Sequence, residues 1–493
     1  MKILLVQPRT PVTFWSFHHA VKFVGKKASQ PPLGLLTVAA MLPENWDLKL
    51  VDMNVSRLRD RELRWADYVF LTGMNIHLDG MKTVIQRCRQ AGARVVLGGP
   101  LCTLDAGTFE GVDHFVLNEA EQTLPAFVAD LQNGTPRRVY ASNEFPSLAR
   151  TPVPMWSLIN MKNYSSMVMQ YSRGCPYNCE FCGISRLNGR IPRTKESEGI
   201  TAELDALYNA GWRSGVFIVD DNFIGNRKKL KRQILPAIET WMKAHRYPFT
   251  FMTEVSINLA DDAQLVEQMV HAGFDSVFIG IETPSDDGLS ECGKKHNRHR
   301  DLVQSVKRLQ KGGLVVSAGF IVGFDSDPPD IFDKQIRFIQ DSGITTAMVG
   351  LLNAPTGTPL YARMEKENRL LGIMSGDNMD TSMNFIPKMS YRQLKDGYHR
   401  ILRTIYSQKA YFIRVKNLLG DYRLPSHHST RLQWQHIRAF FAALWRLGVV
   451  ERGRTYFWKL VIFCMFTSPK KLPLAVTLAI YGFHFRQVVK TLG

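Results

Sequence analysis

Cysteine is scarce in this chain. Seven cysteines are spread through 493 residues, at 88, 102, 175, 179, 182, 292 and 464. Their number and spacing exclude a disulfide-stapled secreted fold. No secretory leader is legible: in MKILLVQPRT the apolar run is only about five residues and reads as a buried strand. No run reaches the ~18–20 apolar residues of a membrane-spanning helix. A cytoplasmic protein is therefore expected. No G-x-G-x-x-G opens the first helix, which argues against a dinucleotide ligand. Acidic residues are nearly missing from the end of the chain. From Tyr391 to Gly493 there are 3 Asp/Glu against 18 Lys/Arg, so most of the net charge of +18 sits in the tail and not in the body.

Three of the few cysteines stand together in YSRGCPYNCEFCGI (171–184), as C-x3-C-x2-C. A closed structural zinc site needs four N or S ligands, and no His follows at finger spacing. Iron–sulfur clusters are usually held by four thiolates. Three thiolates, Cys175, Cys179 and Cys182, would leave one iron open for a substrate or cofactor. Gly174, Pro176 and Gly183 suit a backbone that wraps closely around a compact group.

The C-x3-C-x-aromatic-C pattern, with Phe181 in the aromatic position, resembles the signature of the radical S-adenosylmethionine (SAM) superfamily. The resemblance implies a [4Fe–4S] cluster whose open iron takes the amino and carboxylate groups of SAM. It also implies reductive cleavage of SAM to a 5′-deoxyadenosyl radical, with electrons from a flavodoxin- or ferredoxin-type donor.

Ahead of this motif, residues 1–140 alternate strand-like runs (KILLVQP, LKLVDMN, YVFLTGM, RVVLGGP, HFVLNEA) with helical ones. That order predicts a parallel, doubly wound Rossmann-like sheet with ligands at its C-terminal strand ends. The arrangement resembles the cobalamin-binding domain of B12-dependent radical SAM proteins. By that resemblance Pro8, Leu33, Gly34, Thr72, Gly73, Gly98, Gly99, Pro100 and Glu119 would surround cobalamin. NIHLDG (75–80) is a poor match to the D-x-H-x-x-G that ligates cobalt elsewhere: Asn75 replaces Asp, and the segment follows the third strand instead of the first. His77 is read as a hydrogen-bonded residue near the site. Cys88 and Cys102 read as packing residues.

Residues 141–165, rich in Pro and Ser, read as a linker. From 166 to 384 six βα units predict a partial (βα)6 barrel of TIM type, the fold of the radical SAM enzymes, with polar residues of interest at the strand ends. By resemblance Asp220, Asp221, Glu254, Ser256 and Glu282, with Phe181, would contact SAM. Asn222, Thr283 and Asp325 also lie at strand ends. Tyr171, Tyr177 and Met348 are candidates to face the substrate, and Cys292 is an incidental loop thiol or a thiolate participant.

Residues 385–493 predict a basic, mainly α-helical domain with apolar segments of 11–15 residues. Either it packs on the barrel, or it offers a basic, aromatic-rich surface to an anionic membrane or hydrophobic substrate. The whole resembles the hopanoid and bacteriochlorophyll C-methylase branch. This implies a cobalamin-dependent methyltransferase acting on an unactivated carbon of a hydrophobic small molecule, in the cytoplasm or peripheral to the inner membrane face. A non-methylating B12 radical SAM enzyme shares all these cofactors. A non-catalytic Fe–S membrane protein would not need the polar barrel ends. An RNA methylthiotransferase is disfavoured: its N-terminal domain would carry cluster cysteines, and its tail would be a β-barrel. Nucleic acid is therefore not expected as a partner.

Overall fold

The computed structural model describes residues 1–377, 379–425 and 434–492. Residue 378 of the expected barrel, and 426–433 and 493 of the expected helical domain, lie outside the described residues. The first sheet consists of β1 (Lys2–Gln7), β2 (Asp47–Asp52), β3 (Tyr68–Thr72), β4 (Arg94–Gly98), β5 (His114–Val116) and β6 (Val139–Tyr140). All pairings are parallel, in the order β2-β1-β3-β4-β5-β6. The winding reverses at β1, so helices must cover both faces. Two cores result. Leu4, Val6, Val69, Leu71, Val95 and Leu97 face the helix Leu78–Ala91. Ile3, Leu5, Phe70, Val96 and Val116 face the helices Leu33–Ala40 and Ala120–Gln132. This double burial explains why the strands read as continuous apolar runs.

The second sheet contains β7 (Met167–Met169), β10 (Gly215–Ile218), β11 (Thr250–Val255), β12 (Phe274–Glu282), β13 (Val315–Val322) and β14 (Thr346–Leu351). It too is all parallel, but its order β7-β10-β11-β12-β13-β14 never reverses. With right-handed crossovers every helix then falls on one face. Val216, Ile218, Phe251, Val255, Val277, Ile279, Val316, Ala318 and Val349 are buried beneath them. The alternate residues Phe217, Met252, Glu254, Phe278 and Met348 are only partly buried and share the inner face of the partial barrel. Between β7 and β10 a two-stranded antiparallel hairpin, β8 (Ser172–Arg173) with β9 (Arg193–Thr194), brackets the cysteine loop. Sequence reading missed β6, β8 and β9, two-residue strands too short to show a period.

Residues 141–165 are not a loose tether. They form three single helical turns, with Leu148, Trp156 and Tyr164 buried. The C-terminal helices Tyr391–Ile405 and Gln408–Asp421 bury Leu394, Tyr398, Ile401, Leu402, Val415 and Leu418 in the same core as the barrel. One expectation needs correction. A helix over Pro469–Lys490 is long and apolar enough to cross a membrane by length and composition, because it continues past Arg486 where the apolar run stops. Half of its apolar window is buried inside the protein, against the helices Gln408–Asp421, Trp434–Trp445 and Arg454–Thr467.

Candidate functional site

The cysteine loop is held from below by the end of β10. Asp220 accepts the Tyr171 N–H (2.8 Å) and the Ser172 hydroxyl (2.5 Å). Asp221 accepts the Gly174 N–H (2.7 Å) and the Asn188 amide (2.9 Å). Burial raises both carboxyls, Asp220 to about 7. The two residues expected to meet SAM therefore tie the loop to the barrel. The loop's far end closes through Cys175 N–H to the Gly189 carbonyl (3.2 Å). Asn222 bonds Ser256, whose hydroxyl donates to Asn258, and Asn258 donates to the Tyr177 hydroxyl (2.8 Å). Ser256 and Tyr177 are thus also loop supports. Tyr171 lies buried against Phe223 and faces no open space.

The segment 292–297 forms a second wall. The Glu180 N–H donates to the Cys292 carbonyl (2.9 Å), and His296 stacks on Tyr177 at 3.7 Å between ring centres. Lys294 is buried and donates to Glu282 (2.5 Å), within electrostatic reach of Cys179. Gly280 leaves room for this pair: a Cβ there would meet both the Glu282 carboxylate and the Lys294 ammonium and displace them. Glu282 itself adopts φ 68°, the left-handed region that non-glycine residues seldom occupy. Cys292 is buried, its thiol pushed up to about 12 by burial, and it behaves as a packing residue. Thr283 is buried and accepts the Ser285 N–H. Asp325 is gripped by Arg369 through both oxygens (2.7 Å each) and by Arg363 (2.9 Å). Arg363 also holds Glu180, between the second and third cysteines. Lys294, His296, Arg363 and Asn297, which bonds the Gly280 and Ile281 carbonyls, gave no signal in sequence.

One expected carboxylate remains unengaged. Among the described residues Glu254 has no side-chain hydrogen-bond partner. It stands in register with Phe278 and Ser317 on the inner face. Burial first, then the charges of Asp221 and Asp220, push its carboxyl up to about 7. Phe181 packs toward Phe324 at 6.4 Å.

The ends of β1, β3 and β4 lie next to one another at the winding reversal. They carry short side chains: Pro8, Thr72, Gly73, Gly98 and Gly99. Gly99, at φ 92°, approaches Thr72 so closely that a Cβ would overlap its hydroxyl. Gly34 has open space where a Cβ would be, and Leu33 and Pro100 begin helices. A broad planar group can rest on such a surface, so these residues fit a corrin. His77 does not fit as a lower cobalt ligand. Its Nδ1 accepts the Met74 N–H (3.1 Å), so its Nε2–H points to the Thr10 hydroxyl (3.0 Å) and no lone pair is left. Cys88 and Cys102 are buried, each pushed up to about 12.

Glu119 differs from expectation. Asn118 takes φ 64° and turns the chain so that Glu119 leaves the strand-end surface. Arg193 donates to both Glu119 oxygens (2.9 and 2.5 Å), and Arg173 bridges Glu119 (2.7 Å) and Glu121 (2.8 Å). These arginines belong to β8 and β9. The pairs clamp the first sheet to the cysteine loop, so the strand ends of the two sheets share one space. Trp15, from the loop after β1, meets Phe278 of the barrel at 4.9 Å.

Among the described residues no three His, Cys, Asp or Glu converge tightly enough for a single ion. Three thiols on one pinned loop instead fit a polynuclear cluster, with Cys292 buried in the wall beside it and Cys88, Cys102 and Cys464 buried elsewhere. Fold and loop together define a radical SAM enzyme with an added B12-binding domain.

Comparisons with known proteins agree. The B12 binding domain model matches residues 27–128, the radical SAM superfamily model 169–339, and a domain of unknown function, DUF4070, 358–492. The chain is 38% identical to an uncharacterized methyltransferase of Synechocystis, over 99% of this chain and 92% of that one. It is 30% identical to the hopanoid C-2 methylase of Rhodopseudomonas palustris, over 94% and 89%. Its fold resembles that of the radical SAM methyltransferase TsrM from Kitasatospora setae, solved with cobalamin and a [4Fe–4S] cluster (TM-score 0.60, 14% identity, 99% of each chain). The chain belongs to the cobalamin-dependent radical SAM methyltransferases. Its cofactors are a [4Fe–4S] cluster, SAM and cobalamin.

Proposed function

We propose that this enzyme methylates an unactivated carbon of a hydrophobic, lipid-like small molecule at the periphery of the cytoplasmic membrane face. The observation that carries the substrate class is the inner face of the barrel. Phe217, Met252, Phe278 and Met348 line it, Trp15 reaches it from the first sheet, and Glu254 stands among them with no side-chain hydrogen-bond partner among the described residues. Apolar pockets with few polar groups suit apolar ligands. The hopanoid C-2 methylase relative supports the same class.

When bound, the cluster and SAM supply a hydrogen-abstracting radical and cobalamin supplies the methyl group. The chain's own residues orient these groups. Cys175, Cys179 and Cys182 would hold the cluster. Glu254 is our candidate for the SAM ammonium, since the other expected carboxylates are engaged. Thr72, Gly73, Gly98 and Gly99 would carry the corrin. A flavodoxin- or ferredoxin-type protein would supply electrons.

The test is anaerobic incubation of the reconstituted enzyme with cobalamin, reductant, methyl-labelled SAM and a total lipid extract, followed by mass spectrometry. A labelled lipid is expected. Label confined to polar metabolites would overturn the substrate class. Deoxyadenosine with an altered but unlabelled lipid would replace methylation by rearrangement. Replacing any one of the three cysteines by alanine should abolish the iron–sulfur absorbance and deoxyadenosine formation together.

A further inference from the structure

The helix Arg454–Thr467 is apolar on both sides. Phe457, Leu460, Val461 and Cys464 are buried in the protein. The opposite side exposes Trp458, Ile462, Met465 and Phe466, the last 86% exposed. Val449, in the turn just before it, is 47% exposed and borders the same surface, and Trp445, one turn earlier, is 67% exposed. A surface helix ordinarily turns a polar face to water. Contiguous exposed apolar patches mark contact sites.

Charge selects the partner. Val449, Trp458 and Ile462 line a depression of about 570 Å³ together with Arg454 and Lys459. Arg446, Arg452 and Lys470 are exposed in the same stretch, where Glu451 is the one acidic residue. A second copy of the chain docking through this face would oppose two patches of the same sign. An anionic bilayer offers both complements, apolar acyl chains and negative headgroups. Tryptophan favours the same interfacial depth. At 14 residues the helix is about 21 Å long, too short to span, so it lies in the membrane plane.

We propose that the face formed by Trp445, Val449, Trp458, Ile462, Met465 and Phe466, with Arg454 and Lys459, docks this enzyme on an anionic lipid bilayer. This deepens the proposed lipid-directed function by naming the surface through which a membrane-borne substrate is met. It stands on the C-terminal helices alone.

The test is co-sedimentation of the reconstituted full-length enzyme with phosphatidylglycerol/phosphatidylcholine vesicles, and with phosphatidylcholine vesicles alone, at low and high salt. Binding to the anionic vesicles is expected, weakened by salt. R454Q/K459Q should weaken it roughly thirtyfold, on the worth of two surface cations at a membrane. W458S/F466S should abolish it; Trp458 also donates its indole N–H to the Gly448 carbonyl (2.9 Å), so unchanged iron content and circular dichroism are the control for an intact fold. Wild-type enzyme that stays in the supernatant would overturn the proposal. So would binding that both double variants retain, or light scattering that reports a dimer which W458S/F466S dissolves. Methyl transfer to a detergent-dispersed lipid should survive W458S/F466S, so failed docking and a wrong substrate class give different results.

Discussion

Glu282, expected from the sequence, and Lys294, which no motif announced, give the sharpest prediction. The Lys294–Glu282 pair lies beside Cys179, with opposite charges at the same depth. A buried cation stabilises a cluster that has gained an electron, and a buried anion does the reverse. K294M should therefore lower the cluster's midpoint potential and E282Q should raise it, each by roughly 50–100 mV. Redox titration followed by electron paramagnetic resonance reads the sign. A pair that merely braced the loop would shift both variants the same way. Glu254 makes a different prediction. Its folded carboxyl is raised to about 7, so the folded state keeps a proton that the unfolded chain loses near 4.5. That costs nothing below pH 4.5. The destabilisation grows as pH rises to about 7 and is complete above it. E254Q should thus be more stable than wild type at pH 8, by about 1–3 kcal/mol, with the difference vanishing toward pH 4.5. Denaturant titration at the two pH values measures it.

Among the elements, the β8–β9 hairpin joins the two sheets. Its arginines and the two glutamates are largely buried, with side chains 2–16% exposed. Removing one member of such a pair strands the other charge. R193Q should cost about 2–4 kcal/mol in stability. It should also loosen the first sheet against the cysteine loop, so that more deoxyadenosine forms per methyl transferred. Product counting by mass spectrometry reads that ratio. The hairpin also marks where sequence reading fell short. The six barrel strands and five of the first sheet's six were legible because burial on both faces leaves continuous apolar runs. The cysteine loop was legible from spacing. Direction was not: Asp220, Asp221 and Glu119 were identified as residues of interest, but only the fold shows their carboxylates turned to the loop. Arg193 meets Glu119 across 74 residues of sequence, and no local pattern encodes such a pairing.

At the scale of the whole molecule, three segments close one site. The Leu360 N–H donates to the Glu180 carbonyl, and Arg363 holds the Glu180 side chain, so the region after the barrel also shapes the cysteine loop. Ending the chain after Ser390 removes Leu394, Tyr398, Ile401, Leu402 and Ile405, all fully buried, and should uncover Ile331, Phe332 and Ile339 on the barrel helix they pack against. The shortened chain should aggregate, with soluble yield on expression as the measurement. A helical domain that only decorated the barrel would be dispensable.

The loop that carries Trp15 leads to a consequence of another kind. Phe14 packs on Tyr406 and Phe485, and the His19 N–H reaches His484, 465 residues later. On a ribosome adding 5–20 residues per second, those partners arrive roughly 25–90 s after the loop emerges. Both sheets can fold in that interval, and Trp15 can meet Phe278, but Phe14 and His19 still lack their C-terminal partners. The loop is therefore fixed on both sides of Trp15 only when the C-terminal helices arrive, and the space between the sheets is closed from that side last.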